Sequence, residues 1–195
     1  LDEKVLVERA KKGDKEALSQ LVQTYSERIY NLALRILRNK EDAEDVLQET
    51  FLTVIEKINS FDGRSSFFTW IYRIATNASL MRLRKNKVVF QQLNDSPDFQ
   101  ESVESRVFID WSQDPSLSLY DEEVKKKLDE AINKLSDIYR GVFILRDIEG
   151  LSIKETSAIL QITEENVKIR LRRARQFLRD YLSDYFEERI AGKNA

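Results

Sequence analysis

Apolar residues recur at steps of three and four along most of the chain, which is the period of a helix face turned toward a core. Leu18, Leu21, Val22, Tyr25, Ile29, Leu32 and Ile36 form one such stripe and predict a long helix. A shorter helix, from about Lys4 to Lys12, precedes it; Gly13 stops the first and Asp14 caps the second. Asn39 caps a third helix whose apolar face is Ala43, Val46, Leu47, Val54, Ile55 and Ile58. Its first turns carry Glu41, Asp42, Glu44 and Asp45, where the helix dipole favours anions. Phe61-Asp62-Gly63 makes a turn, and Ser65 or Ser66 caps a fourth helix through about Lys87, with Phe67, Ile71, Ile74 and Ala78 on its core face.

The texture changes after Asn86. Residues 86–120 hold both prolines, Pro97 and Pro115, and six acids against two bases, so they read as an acidic linker of low regular structure. Phe99, Phe108 and Trp111 predict that this linker docks on something. Helical periodicity resumes over Asp121–Lys134 and Asp137–Asp147, and Gly150 closes the second of these. Ser152 and Glu155 form a capping box for a short helix to Leu160. After the turn Gln161-Ile162-Thr163, Thr163 caps a long last helix to about Glu188. The expected fold is all-α: a four-helix N-terminal domain over 1–88, a linker over 89–120 and a helix-turn-helix domain over 121–195.

Composition supports this. Only five glycines and two prolines in 195 residues leave few helix breakers. There is no cysteine and no histidine, which excludes disulfides, Ser-His-Asp and Cys-His nucleophile systems and most zinc sites. No apolar run approaches the roughly 18 residues of a membrane span. The opening stretch, LDEKVLVERAKKGD, is amphipathic and charged rather than a secretory leader, so a soluble cytoplasmic protein is expected.

Three faces carry candidate chemistry. On the last helix Val167, Leu171, Ala174 and Leu178 share the inward side. Ile169, Arg172, Arg173 and Gln176 point outward, and Lys168, Arg175 and Arg179 line one flank. Six bases and no acid lie between Asn166 and Arg179. A helix fits the major groove, Arg reads guanine with two hydrogen bonds, and an apolar side chain meets a thymine methyl. A solvated basic bundle face is the bland alternative; the turn and its two caps favour DNA. On the fourth helix Trp70, Arg73, Asn77 and Arg84 form a stripe beside the core face, with Phe68 and Tyr72 on the other flank. Such a stripe suits unstacked bases and a phosphate backbone, and it equally suits aromatics packing a small core. On the third helix the acids spread around the axis with no histidine among them, which argues against a metal site. Asp45, Gln48 and Glu49 are a candidate protein-docking surface.

Three strings in this order, DAEDVLQETFL at 42–52, FDGRSSFFTWIYRIATN at 61–77 and EGLSIKETSAILQITEENVKIRLRRAR at 149–175, resemble bacterial sigma factors of the extracytoplasmic-function (ECF) group. The resemblance runs from about Lys12 to Leu182. It implies a transcription initiation factor whose first domain binds the β′ clamp of core RNA polymerase and opens the −10 element, while its second binds the −35 duplex and the β flap. By motif position Asp45, Gln48 and Glu49 match the clamp-binding surface. Phe61, Ile74 and Asn77 match a pocket for a flipped base, and Met81 occupies a pocket position that is often polar. Trp70, Arg73 and Arg84 support the melted strand. Lys168, Ile169, Arg172 and Arg173 match the −35 readers, with Arg175 beside them and Ile169 where a small polar residue is common. The resemblance also implies an anti-sigma partner, and it calls for no cofactor, metal or small-molecule substrate. The acidic linker is expected to occupy the polymerase's basic channel, in place of RNA charge.

Read from the residues alone, a helix-turn-helix regulator that is not a polymerase subunit stays open, with 1–88 as a dimerisation or effector domain; it predicts a palindromic site and a stable dimer. A carboxylate-dependent metal hydrolase is the more distant third reading.

Overall fold

The computed structural model describes residues 2–94 and 122–193, and every regular element among them is helical. The chain divides into two compact units. The first is built on α1 (Glu3–Lys11), α2 (Lys15–Leu37), α3 (Lys40–Lys57) and α4 (Phe67–Asn94).

Local chemistry sets their ends. Asp14 accepts from the N–H groups of Glu16 and Ala17 at 3.0 and 3.1 Å, and Gly13 supplies the positive φ of 84° that turns the chain between α1 and α2. Asn39 accepts from the N–H of Asp42 at 3.0 Å and opens α3. Of the two candidate serines before α4, Ser66 is the cap: its Oγ accepts from the N–H of Thr69 at 3.1 Å.

The core follows the predicted stripes over most of their length, with differences at individual positions. Leu21, Tyr25, Ile29, Leu32 and Ile36 of α2 are buried against Ala43, Val46, Phe51 and Val54 of α3 and Phe67, Ile71 and Ala75 of α4. Ile55 is exposed rather than core, because Phe51, Val54 and Ile58 already fill that side of α3. Tyr72, expected on an open flank, is fully buried. The fourth helix also runs on to Asn94, so the start of the expected linker is helical. Residues 86–94 hold no helix breaker, and the first proline, Pro97, comes later. The rest of that linker, with Phe99, Phe108 and Trp111, lies outside the described residues.

The second unit is built on α5 (Glu122–Lys134), α6 (Asp137–Phe143) and α8 (Glu164–Lys193). Both α5 and α6 pack on α8, around Ala131, Ile132, Leu135, Val142, Val167, Leu171, Ala174 and Leu178. Arg140 is buried, and its guanidinium donates to the carbonyl oxygens of Asn133 and Leu135, closing the end of α5. The expected regular helix to Asp147 changes character after Phe143: Ile144–Ile148 form one wide π turn, with the Glu149 N–H on the Ile144 carbonyl at 2.8 Å. Arg140 through Leu145 are six buried residues in a row, more than one face of a regular helix holds. The short helix α7 (Ile153–Leu160) opens on the predicted capping box. Ser152 N–H and Oγ donate to the Glu155 carboxylate at 2.8 and 2.6 Å, and the Glu155 N–H returns to Ser152 Oγ at 3.1 Å.

Candidate nucleic-acid interface

Thr163 Oγ1 accepts from the N–H of Asn166 at 3.1 Å and so fixes where α8 begins. That start sets the rotation of the whole helix. Val167, Leu171, Ala174 and Leu178 turn inward, and Lys168, Arg172, Arg173 and Gln176 are left exposed. Ile169 and Arg170 are half-buried at the edge. Two of the basic side chains are already engaged. Arg173 Nη1 donates to the Tyr139 hydroxyl at 3.2 Å, and Arg175 grips the Asp147 carboxylate with two nitrogens. The carboxylate raises the Arg175 pKa further by hydrogen bonding and charge. Arg175 is therefore tied to the π turn rather than held out toward a partner.

The α4 face divides in two. Trp70, expected on an open stripe, is only 9% exposed. Its ring lies 5.2 Å from that of Phe61 and 5.6 Å from that of Phe67, and Phe67 meets Tyr25 edge-on at 5.6 Å. Phe61, also buried, carries the Lys11 ammonium 5.4 Å from its ring centroid. These aromatics are the floor of the face. Above them Arg73 and Ile74 are half-buried, Asn77 and Arg84 are exposed, and Met81 is 67% exposed. On the opposite flank the Phe68 and Tyr72 rings lie tilted against each other with centroids 4.2 Å apart, and the Arg28 guanidinium lies 4.9 Å over Phe68.

On α3 the candidates Asp45, Gln48 and Glu49 all reach the surface, and Leu52 and Ile55 extend that exposed face. Asp45 has a partner that the sequence reading missed. Arg82 of α4 donates through Nε to Asp42 Oδ1 and through Nη2 to Asp45 Oδ2, each at 2.5 Å. Asn86 adds a bond to Asp42 Oδ2 at 2.8 Å. A signal was present: Arg82 follows Ile71, Ala75 and Ala78 on one line of the helical wheel, and a cation on a core-facing line needs an acid across from it. Among the described residues no group of three or more acidic side chains is placed to hold a metal ion, and no helix is long and apolar enough to cross a membrane.

The family description of sigma-70 region 2 matches residues 21–88, and that of sigma-70 region 4 matches residues 125–178. The ECF RNA polymerase sigma factor SigW of Bacillus subtilis is 36% identical over 190 residues, which covers 91% of this chain and 95% of that one. The chain belongs to the ECF sigma factors. The ECF RNA polymerase sigma-E factor of Escherichia coli K12 is 32% identical over 181 residues, covering 90% and 92% of the two chains. Among solved structures, the sigma factor RpoE of Bartonella quintana, in a co-crystal with the anti-sigma factor NepR, matches with a TM-score of 0.64 and 27% identity over 85% of this chain and 96% of that one. Region 2 of this sigma factor thus takes in most of α2, all of α3 and α4 to Val88, with the Asp45 and Asn77 faces; region 4 takes in α5 through the basic part of α8. Sigma factors are transcription initiation subunits.

Proposed function

We propose that this sigma factor docks on the β′ clamp of core RNA polymerase through Asp45, Gln48 and Glu49 of α3. It opens the −10 element with the α4 face and holds the −35 duplex with α8, whose unit also meets the β flap. Phe61, Ile74, Asn77 and Met81 receive the flipped base of the non-template strand, while Arg73 and Arg84 carry its backbone. Trp70 acts from beneath, as the support under Phe61. Lys168, Ile169, Arg172 and Arg173 read or hold the duplex. The observation that carries the reading is that each matched region keeps an exposed polar or basic face over a buried apolar one: Asn77 and Arg84 on α4, and Lys168 and Arg172 on α8.

Strand opening by capture of an unstacked base draws on binding energy and needs no nucleophile, which fits a chain without histidine or cysteine. The protein works in the cytoplasm, where the polymerase is. An anti-sigma protein holds it inactive, a reading supported by the similarity to RpoE bound to NepR. The acidic linker that follows α4 lies in the polymerase's nucleic-acid channel, and initiation weakened by charge-reversed linkers is its test.

Transcription from promoter templates by core polymerase, with and without the purified chain, tests the whole. A promoter-specific transcript that depends on the chain is expected. No such transcript from inhibitor-free protein, together with a stable dimer on a palindromic site, would replace this reading with that of an independent regulator.

A further inference from the structure

The basic row of α8 has an acid at its head. Glu165 is exposed in the first turn, just after the Thr163 cap. Glu165, Ile169, Arg172 and Gln176 follow one another at steps of four, three and four, so they share about 60° of the helix surface. Val167, Leu171, Ala174 and Leu178 are buried on the other side. Glu165 thus stands on the line that faces the duplex, at the end where a recognition helix meets base edges. Among the described residues no side chain pairs with its carboxylate. The common role of an acid in a first turn is to complement the helix dipole. Glu164 serves that role equally from about 100° around the helix, toward the side of Leu171. In the groove a carboxylate is opposed by the phosphates, by O6 and N7 of guanine and by O4 of thymine, which are acceptors like itself. Only an exocyclic amine gives it a donor. Adenine sets the acceptor N7 beside its amine, whereas cytosine shows the amine alone.

We propose that Glu165 is a further specificity-determining residue of the −35 contact, accepting a hydrogen bond from the N4 amine of a cytosine at one base pair. Phosphate repulsion acts on every sequence, and the amine bond forms on one. The acid therefore lowers affinity for DNA in general and raises selectivity, which is the logic of rejecting wrong partners. The thymine methyl is left to Ile169 and guanine to Arg172, one and two turns further along the same line. The proposal rests on the reading of α8 given under the proposed function.

The test uses the holoenzyme of the full chain with core polymerase, on promoter duplexes whose −35 region is randomised. Bound duplexes are separated and sequenced for the unaltered protein, Glu165→Gln, Glu165→Ala and Glu164→Gln. The unaltered protein is expected to prefer cytosine at one position by about tenfold. Glu165→Gln should move that preference to adenine, because an amide accepts from N6 and donates to N7. Glu165→Ala should lose the preference there and bind the unselected duplexes more tightly than the unaltered protein does. Glu164→Gln removes the same charge from the same turn and should keep the cytosine. A Glu165→Gln profile that matches the Glu164→Gln profile at every position would overturn the proposal and leave Glu165 to the helix dipole. An unaltered protein with no preference at any −35 position would instead sink the assignment of α8 to the −35 duplex, and the proposal with it.

Discussion

Arg175 of α8 grips Asp147 of the π turn through both carboxylate oxygens, Nε to Oδ2 at 2.7 Å and Nη2 to Oδ1 at 2.6 Å. This fork spends on the protein itself a cation that stands in the basic row of α8. Replacement of Arg175 by Gln is therefore expected to leave the salt dependence of −35 duplex binding nearly unchanged. A phosphate contact would lower the slope by about 0.9, and a full drop of that size in a salt titration would return Arg175 to the DNA. Because the Arg175 side chain is about half-exposed, the loss of stability should stay within about 1 kcal/mol.

Arg172 is exposed, and two turns of buried residues beneath it fix its direction. Arg172→Ala should relax preference at one base pair of the −35 element and cost about 1–3 kcal/mol of discrimination. Competition among duplexes that differ at single positions measures this. Uniform weakening on every duplex would make Arg172 a phosphate contact instead.

Asn77 and Trp70 lie two turns apart on α4, and their variants should fail in different ways. Asn77 is exposed, so Asn77→Ala should impair open-complex formation with the melting temperature and −35 duplex binding intact. Trp70 is packed on Phe61 and Phe67. Trp70→Ala should destabilise the first unit by about 3–5 kcal/mol, as expected for a large buried aromatic, and Trp70→Phe much less. Permanganate footprinting and thermal unfolding separate the two; normal melting of DNA by Asn77→Ala would remove Asn77 from the strand site.

The Glu155 carboxylate receives both donors of Ser152, whose side-chain and then backbone hydrogen bonds hold its pKa below the ordinary 4.5. A depressed folded-state value means that its contribution is complete above about 4.5 and is lost as pH falls through the folded value. Glu155→Ala should cost about 1 kcal/mol near neutral pH, as for other helix caps. The cost should shrink in acid until the two proteins unfold alike. Urea titrations of both proteins at several pH values follow this; a cost independent of pH would show that the carboxylate is not the group that matters.

Much of the architecture is local and was legible. Asp14, Asn39, Ser66, Ser152 and Thr163 each bond to a backbone N–H no more than three residues away. Residue type and spacing therefore suffice to place these helix starts. The same holds for the rotation of α8, since a cap at Thr163 and apolar residues at steps of three and four determine together which side is wet. The far end of α4 differs from the expectation for the converse reason: nothing near Lys87 stops a helix, the first breaker is Pro97, and a change of composition alone does not end a helix.

The sequence by itself determined the order of the helices, most of their starts and the three faces that carry the candidate binding residues. Tertiary structure decided which neighbour each member of those faces meets. Trp70 went under Phe61, Asp45 went to Arg82 across 37 residues of chain, and Arg175 went to Asp147 across 28. A helical wheel shows what points outward from one helix. It does not show which neighbouring helix stands there, and an exposed charge on one element takes up an opposite charge wherever packing brings one within reach.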